Sequence, residues 1–419
     1  MGTTIWHKDY ITLPLEKKLK LRLTTESESF YIFVCLNDLI LMEKKINIFS
    51  FFAGAGFLDL GFESTGHYDI VYVNEFNKTF NDIYRHSRAN LHIEPPMFGY
   101  HVEDISTLLS GKNLTNLRKM VRTVKKQGLI GFIGGPPCPD FSVAGKNKGK
   151  DGDNGKLSEV YCEIICKIKP DFFLFENVKG LYQTQRHREY FEHLKERFRA
   201  SGYYITEQLI NALEYGVPQD RERIILLGFN KKMVKDLSLS IDHEKQVGFD
   251  WDNYKLYTRA DITSISWPQI EPFEEDRPRM MPQEIIPDLT IQYWWEKNDV
   301  DNHPNSRMFF RPKAGLPRFQ SIPEGDDKKK CFKRLHRWRY SPTAAYGNNE
   351  VHLHPYKPRR ISVAEALAIQ SLPKEFEIPI NTSLSDAFKT IGNGDPYLAA
   401  KAIANNIYDY INKCNNYGV

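Results

Sequence analysis

Long apolar runs are missing from this chain: no stretch approaches the roughly 20 residues that a bilayer-spanning helix needs, so a soluble protein without a membrane partner is expected. The opening Met1-Gly2-Thr3-Thr4-Ile5-Trp6-His7 has no basic region followed by an apolar one, and Trp6 stands where a myristoylation signal wants Ser or Thr. Neither export nor lipid anchoring is expected. Cysteine is scarce. Six residues (Cys35, Cys138, Cys162, Cys166, Cys331, Cys414) are scattered without the paired spacing of a zinc ribbon or the density of a disulfide scaffold, so a reducing, cytoplasmic setting and no metal are expected. A strong excess of one charge is also absent. The net charge of +4 and pI of 8.5 permit a polyanionic partner but fall short of the pI above about 9 that marks a strongly basic nucleic-acid domain. Internal repeats and low-complexity tracts are lacking as well, apart from one short basic run.

What is present is an ordinary globular composition, 41% hydrophobic and 26% charged, in 419 residues, a length suited to two or three domains. From Ile46 onward, short apolar runs recur: Ile46–Phe49, Ile70–Val73, Leu129–Ile133, Asp171–Phe175 and Ile224–Leu227. Each reads as a buried strand. Between them lie helical patterns at Glu159–Lys169 and Tyr190–Ala200, and strands alternating with helices predict an α/β fold with a mostly parallel sheet covered on both faces. The pattern lapses over 231–358, which reads as a separate, smaller, irregular module. Helical spacing returns at Ser362–Ser371 and Pro396–Ile411, so 359–419 is expected to pack back on the domain at 45–230. Residues 1–44 hold two possible strands, Leu19–Leu23 and Phe30–Leu36, with no assigned function.

The chemistry-bearing segments cluster after predicted strands, where ligands bind in such sheets. Phe52-Ala53-Gly54-Ala55-Gly56 follows the first strand, and its glycines let a ligand approach the backbone. Glu75 follows the second strand about 20 residues on, where nucleotide-binding sheets hold ribose hydroxyls. Asp104-Ile105 is placed after a third strand, with the carboxylate available to an adenine amino group. Gly134-Gly135-Pro136-Pro137-Cys138-Pro139 follows the fourth; a thiol on a stiff proline turn suits a nucleophile better than a core position. Cys162 and Cys166 instead fall on the apolar face of a helix and read as packing residues. Glu176-Asn177 ends the next strand and sets a carboxylate beside Cys138, where burial would raise its pKa and let it donate a proton. In Gln219-Asp220-Arg221-Glu222-Arg223, alternation sends Gln219, Arg221 and Arg223 to one side.

In order and placement these segments resemble the DNA cytosine-5 methyltransferase family of the prokaryotic restriction-modification type. The likeness runs from Phe52 to the C-terminus and takes in Pro137-Cys138, Glu176-Asn177-Val178, Tyr215-Gly216-Val217-Pro218 with Arg221 and Arg223, Gln370-Ser371-Leu372-Pro373 and Gly392-Asn393-x-x-Pro396. It implies a Rossmann-like methyltransferase sheet, S-adenosylmethionine as cofactor with S-adenosylhomocysteine as product, and a target recognition domain at 231–358. Cys138 would attack carbon 6 of a flipped cytosine while Glu176 stabilises protonation of ring nitrogen 3. Asn177 would position the cysteine turn, and Arg221 and Arg223 would hold the base. Phe52, Ala53, Gly54, Ala55, Gly56, Glu75, Asp104, Ile105, Pro137, Leu157 and Asn393 would surround the cofactor. The Gly- and Lys-rich loop 142–154 would close on double-stranded DNA, with Ser142, Lys146 and Gln219 among the contacts.

Three positions depart from the family pattern: Pro139 where Gln is usual, Phe57 where Gly is common and Asp395 where Val is usual. None removes a reacting group. In the recognition region, Lys328 to Tyr340 interleaves basic and aromatic residues, and Arg334, Arg337 and Arg339 are the candidates for DNA contact. The expected protein is a monomeric, nucleoid-associated enzyme that protects host DNA alongside a companion restriction endonuclease. Two readings stay open beside it: a DNA-binding homologue without catalysis, and a tRNA cytosine-5 methyltransferase, whose Cys-Phe-Thr signature Cys331-Phe332-Lys333 matches in part.

Overall fold

The computed structural model describes residues 18–24, 29–35, 45–137, 153–241, 248–329, 331–344, 346 and 350–412. The chain forms two compact units, 1–45 and 46–419. In the first, β1 (Lys18–Thr24) pairs antiparallel with β2 (Ser29–Cys35), from Lys18 opposite Cys35 to Thr24 opposite Ser29. Both strands fall where the sequence pattern suggested them.

The second unit is built on a seven-stranded sheet. Its strands are β3 (Ile46–Phe51), β4 (Tyr68–Asn74), β5 (Tyr100–His101), β6 (Ile130–Gly134), β7 (Phe172–Val178), β8 (Tyr203–Asn211) and, after a two-residue β9 (Gln219–Asp220), β10 (Glu222–Asn230). The spatial order is β5-β4-β3-β6-β7-β10-β8; the first five strands run parallel and β10 runs antiparallel to both its neighbours. The mostly parallel α/β sheet expected from the alternation is therefore present. From β3 the chain moves outward to β4 and β5, then returns to the other side of β3 as β6. That reversal opens a crevice beyond the carboxyl ends of β3 and β6.

Side-chain alternation along the strands makes two cores. Phe49, Phe132 and Phe173 point to one face, where Leu117, Ile164, Ile165, Phe191 and Phe198 of the helices Gly111–Lys125, Asp153–Ile168 and Gln185–Ala200 cover them. Their neighbours Ile48, Ile133 and Leu174 point to the other, against Ile403, Ile407 and Tyr410 of the helix Tyr397–Asn412. The same C-terminal helix lies close to Phe57–Glu63, because Gly61 has no side chain; a Cβ there would sit 2.5 Å from the Ala400 Cβ.

Strand β8 and the helices Lys78–Asn90, Gly111–Lys125 and Leu384–Asn393 are among the elements that had no named counterpart in the sequence pattern. Strand β8 lies at the sheet's outer position, with Thr206, Glu207 and Gln208 half-exposed, so it shows no continuous apolar run. The helix Leu384–Asn393 begins at Ser383, whose side chain accepts from the Asp386 N–H, and buries Ala387, Phe388 and Ile391. Over 231–358 the described residues form short helices, Lys231–Asp236, Arg259–Ser264, Ile291–Lys297 and Leu316–Ser321, and the two-residue β11 (Ser341–Pro342), which pairs with β9.

Candidate active site

Strand register levels the carboxyl ends of the parallel strands: Phe51 lies opposite both Asn74 and Gly134, Asn74 opposite His101, and Gly134 opposite Phe175. Residues just beyond these pairs therefore share one edge. The turn after β3 is left-handed at Phe52 (φ 54°), Gly54 (φ 57°) and Gly56 (φ 79°). Glu75 closes over it: Oε2 accepts from the Gly54 N–H at 2.8 Å and Oε1 from the Asn77 N–H at 2.7 Å. Burial pushes the Glu75 carboxyl above its ordinary value despite these bonds. Beneath the turn, the Arg88 Nη2 donates to the Gly56 carbonyl at 2.7 Å, and Asp59 accepts from Ser50 and Tyr84, both at 2.8 Å. This wiring fixes the turn from below and leaves open space above Gly54, where a Cβ would meet nothing within 4 Å.

Other expected cofactor residues are distributed around this edge. Asp104 is exposed beyond β5 and caps the turn Ile105–Leu109, accepting from the Ser106 N–H at 2.8 Å, whereas Ile105 is buried. Ala53 donates its N–H to the Asn74 carbonyl at 3.2 Å. Ala55 is a correction: its side chain packs in the core with Phe57 and Leu60 and leaves only backbone to a ligand. Pro137 and Asn393 are exposed, and Leu157 is half-buried against the core. Gly394 packs so closely on Phe57 that a Cβ would run into its ring, 2.7 Å from Cε2 and closer still to Cδ2, which brings the Asn393 segment to the helix that follows the glycine turn. Sequence reasoning missed Phe76. Its ring is 73% exposed directly after Glu75, and a large aromatic left in solvent at a strand end is a signal the sequence carries but does not distinguish from a core residue.

Glu176 ends β7 in a nearly closed environment, with Arg223 Nε 2.8 Å from Oε1. Gly135 makes room for it: a Cβ at that position would lie 2.6 Å from Oε2. Burial first, then the Asp395 carboxyl, raise the Glu176 pKa to about 8, against the opposing pull of Arg223 and Arg221. The carboxyl thus holds a proton more tightly than an ordinary glutamate. The next residue, Asn177, is buried with Nδ2 3.5 Å from the Pro136 carbonyl. Arg221 is buried, and its Nη2 donates to the Gly392 carbonyl at 3.1 Å and Nη1 to the Ala344 carbonyl at 3.4 Å. Its Nε has no hydrogen-bond partner among the described residues. Cys138, Ser142 and Lys146, together with residues 142–152 of the expected lid over 142–154, lie outside the described residues.

Alternation does send Gln219, Arg221 and Arg223 inward, with Asp220 exposed, but it sends them to different partners. Gln219 is fully buried, donating to Gln370 Oε1 at 3.1 Å and accepting from the Ala344 N–H at 3.0 Å. It ties the chain together and has no surface for DNA. The same correction holds for two arginines of the segment expected to recognise DNA. Arg334 is buried over the Phe273 ring and donates to the carbonyls of Ile322, Lys357, His354 and Phe319. Arg337 grips buried Glu324 with two hydrogen bonds of 2.9 Å and donates to the Arg277 carbonyl at 2.7 Å. A guanidinium whose donors are used inside the fold is not available to phosphate. Arg339 stays half-buried, paired with Asp327 at 2.9 Å. Among the described residues no His, Cys, Asp and Glu cluster is arranged to hold a metal, and no helix is long and apolar enough to cross a membrane.

A switch-point sheet with a glycine turn, the Glu75 carboxylate and the buried Glu176 on one edge places the chain in the α/β class with a candidate ligand site at that edge. The profile of C-5 cytosine-specific DNA methylases matches residues 46–409, and the chain belongs to that family. It is 58% identical over 369 residues to the Type II methyltransferase M.NmeDI of Neisseria meningitidis serogroup C, covering 88% of this chain and 84% of that one. To the Type II methyltransferase M.FnuDI of Fusobacterium nucleatum it is 29% identical, covering 87% and 96%. Among solved structures, a candidate DNA modification methyltransferase encoded within an E. coli prophage has the same fold, with a TM-score of 0.59, 22% identity and coverage of 88% and 100%.

Proposed function

We propose that this enzyme uses S-adenosylmethionine to methylate carbon 5 of one cytosine within a short sequence of double-stranded DNA, as the modifying half of a Type II restriction-modification system. The observation that carries the mechanism is Glu176: buried at the carboxyl edge against Gly135, braced by Arg223 at 2.8 Å, and with burial pushing its carboxyl above the ordinary range. The target cytosine leaves the stack, since its carbon 6 is inaccessible in a duplex. The Cys138 thiolate adds to carbon 6, ring nitrogen 3 takes the Glu176 proton, and carbon 5 takes the methyl group. Loss of the carbon-5 proton to water, departure of the thiolate and return of the nitrogen-3 proton to Glu176 then restore the ring and the enzyme. Arg223 and Arg221 compensate the charge left on Glu176, and Asn177 steadies the turn at Pro136.

When bound, S-adenosylmethionine supplies the electrophilic methyl. The residues fit that group: the open space above Gly54 admits its backbone-like chain, Glu75 retains lone pairs for ribose hydroxyls, and the exposed Phe76 ring offers a stacking face. Phe52, Asp104, Leu157 and Asn393 complete the proposed set. Residues 231–358 form the proposed recognition region, and 142–154 the segment that closes over DNA. The protein acts as a monomer on chromosomal DNA in the cytoplasm, with an endonuclease of matching specificity as functional companion.

The test is transfer of label from methyl-labelled S-adenosylmethionine to unmethylated mixed-sequence duplex DNA, with tRNA in parallel, followed by mapping of the modified base. Label at carbon 5 of cytosine in one sequence context is expected; label on tRNA alone would refute the DNA assignment. Cys138→Ser is expected to lose transfer and keep DNA binding, and undiminished methylation by that variant would refute the covalent step.

A further inference from the structure

The helix Leu316–Ser321 and the segment after it enclose a cavity of about 160 Å³ that the proposed mechanism does not use, lined by Arg318, Ser321, Asp326, Lys329 and Phe332 among others. Phe332 holds a left-handed backbone (φ 60°) that aromatic residues seldom adopt. Its ring lies 5.7 Å from that of Phe319 and 5.5 Å from the Arg360 guanidinium. The Arg318 guanidinium stands over the same ring, 4.5 Å from its centroid. Stacking of that kind occupies a face of the guanidinium and leaves its in-plane N–H donors free. Among the described residues nothing takes them: Arg318 is exposed, and its side chain forms no hydrogen bond or ion pair. Asp326 makes no ion pair with it, and accepts from the Lys328 N–H at 3.4 Å. Buried Arg334 fixes the frame, donating from Nε to the Ile322 carbonyl at 2.8 Å and from Nη2 to the Phe319 carbonyl.

We infer that this cavity takes the edge of a guanine in the recognised DNA sequence, and that Arg318 is the residue that specifies it. The inference rests on the reading of 231–358 as the recognition region. Guanine presents two acceptors, O6 and N7, side by side in the major groove, and a guanidinium meets both with parallel N–H donors. Every other base places a donor or a methyl group where one of those acceptors would be. The Phe332 ring holds the guanidinium plane in one orientation, so little side-chain freedom is lost when the base arrives. A phosphate is the rival ligand for Arg318 and Lys329. The Asp326 carboxylate on the same cavity repels a phosphate, whereas it can accept from the N4 amino group of the cytosine paired with that guanine. Arg334 and Arg337 spend their donors inside the fold; Arg318 keeps its own for a ligand.

Methylation of unmethylated mixed-sequence duplex DNA, mapped cytosine by cytosine for the wild type, Arg318→Ala and Arg318→Gln, tests this. The wild type is expected to require guanine within its target sequence. In Arg318→Ala that requirement should be lost at one position, where discrimination against other bases falls roughly 5- to 150-fold, the amount that one bidentate base contact supplies. The remaining positions should keep their preference. Arg318→Gln should move the preference at that same position to adenine, whose N6 and N7 match a carboxamide. A uniform loss of methylation across all contexts, with the slope of log binding constant against log salt shallower by about 1, makes Arg318 a phosphate contact and overturns the inference. Unchanged rate and context in a folded variant overturns it as well. Should one variant fail to fold, as judged by circular dichroism, the other carries the measurement. A wild type that labels tRNA alone refutes the DNA reading and takes the inference with it, whereas DNA methylation in an unaltered context by both variants condemns the assignment of Arg318 alone.

Discussion

Two alanine substitutions in the turn after β3 should separate folding from cofactor binding, although they lie two residues apart and both replace a glycine with positive φ. Gly54→Ala places a methyl where no atom lies within 4 Å, so its cost to folding is the left-handed backbone alone, about 1–2 kcal/mol. Gly56→Ala carries the same backbone cost and also drives its Cβ to 2.5 Å from Tyr84 Cδ2 and 2.9 Å from Arg88 Nη2. Neither neighbour yields easily: Tyr84 is buried and bonded to Asp59 at 2.8 Å, and Arg88 holds the Gly56 carbonyl at 2.7 Å. Overpacking of that kind adds about 1–3 kcal/mol, giving a total of about 2–5 kcal/mol for Gly56→Ala. Urea unfolding should therefore rank wild type above Gly54→Ala and Gly54→Ala above Gly56→Ala. Titration calorimetry with S-adenosylhomocysteine should show the converse emphasis, with Gly54→Ala losing at least tenfold in affinity because its methyl occupies the space proposed for the ligand. If Gly54→Ala binds as the wild type does, the ligand does not pass over that turn. If Gly56→Ala unfolds with Gly54→Ala, the Tyr84 and Arg88 contacts are not the constraint described.

Gly61→Ala should destabilise by about 1–3 kcal/mol through overpacking, since the added methyl meets the Ala400 Cβ at 2.5 Å; protease cleavage in the C-terminal helix checks that its packing is what loosens. Arg337→Ala removes both side-chain hydrogen bonds to buried Glu324 and leaves it the main-chain N–H at 337 and Arg279 at 3.5 Å, so it should cost up to about 3–5 kcal/mol of stability. The salt dependence of DNA binding by the folded fraction should stay unchanged, and a reduced salt slope with full stability would make Arg337 a phosphate contact after all. For Glu176, the raised pKa of about 8 means the proton-carrying form prevails below that value. Single-turnover transfer should accordingly fall as pH rises through about 8, and a rate still climbing at pH 10 would exclude a protonated Glu176.

Much of the catalytic framework could be read from sequence because its signals are local. Strands β3, β4, β6, β7 and β10 are interior and apolar along their length, so burial on both faces wrote itself into consecutive residues. The carboxyl-edge motifs inherit their location from those strands, which is why Glu75, Glu176 and Arg223 fall where they were expected. Strand β8 escaped because its residues are half-exposed and its pairing with β10 spans a loop and a turn. The helix Leu384–Asn393 has a clear cap at Ser383 and Asp386, but its apolar positions are few and interleave with polar ones.

The recognition region failed in a more instructive way. A run of arginines and aromatics suits a nucleic-acid surface and a buried cation–π network equally well, because both use a planar cation, its five donors and a ring face. The deciding quantity is what else converges on the guanidinium, and that is non-local. Glu324 reaches Arg337 from a turn before it, Phe273 covers Arg334 from a distant loop, and the carbonyls of His354 and Lys357 close from beyond it. A region with little regular structure has few backbone hydrogen bonds to fix its shape, so buried ion pairs and arginine–carbonyl contacts take over that work. That accounts for Arg334 and Arg337, cations of the expected recognition segment held inside the fold, and it directs a search for base-reading residues to side chains the interior does not already occupy.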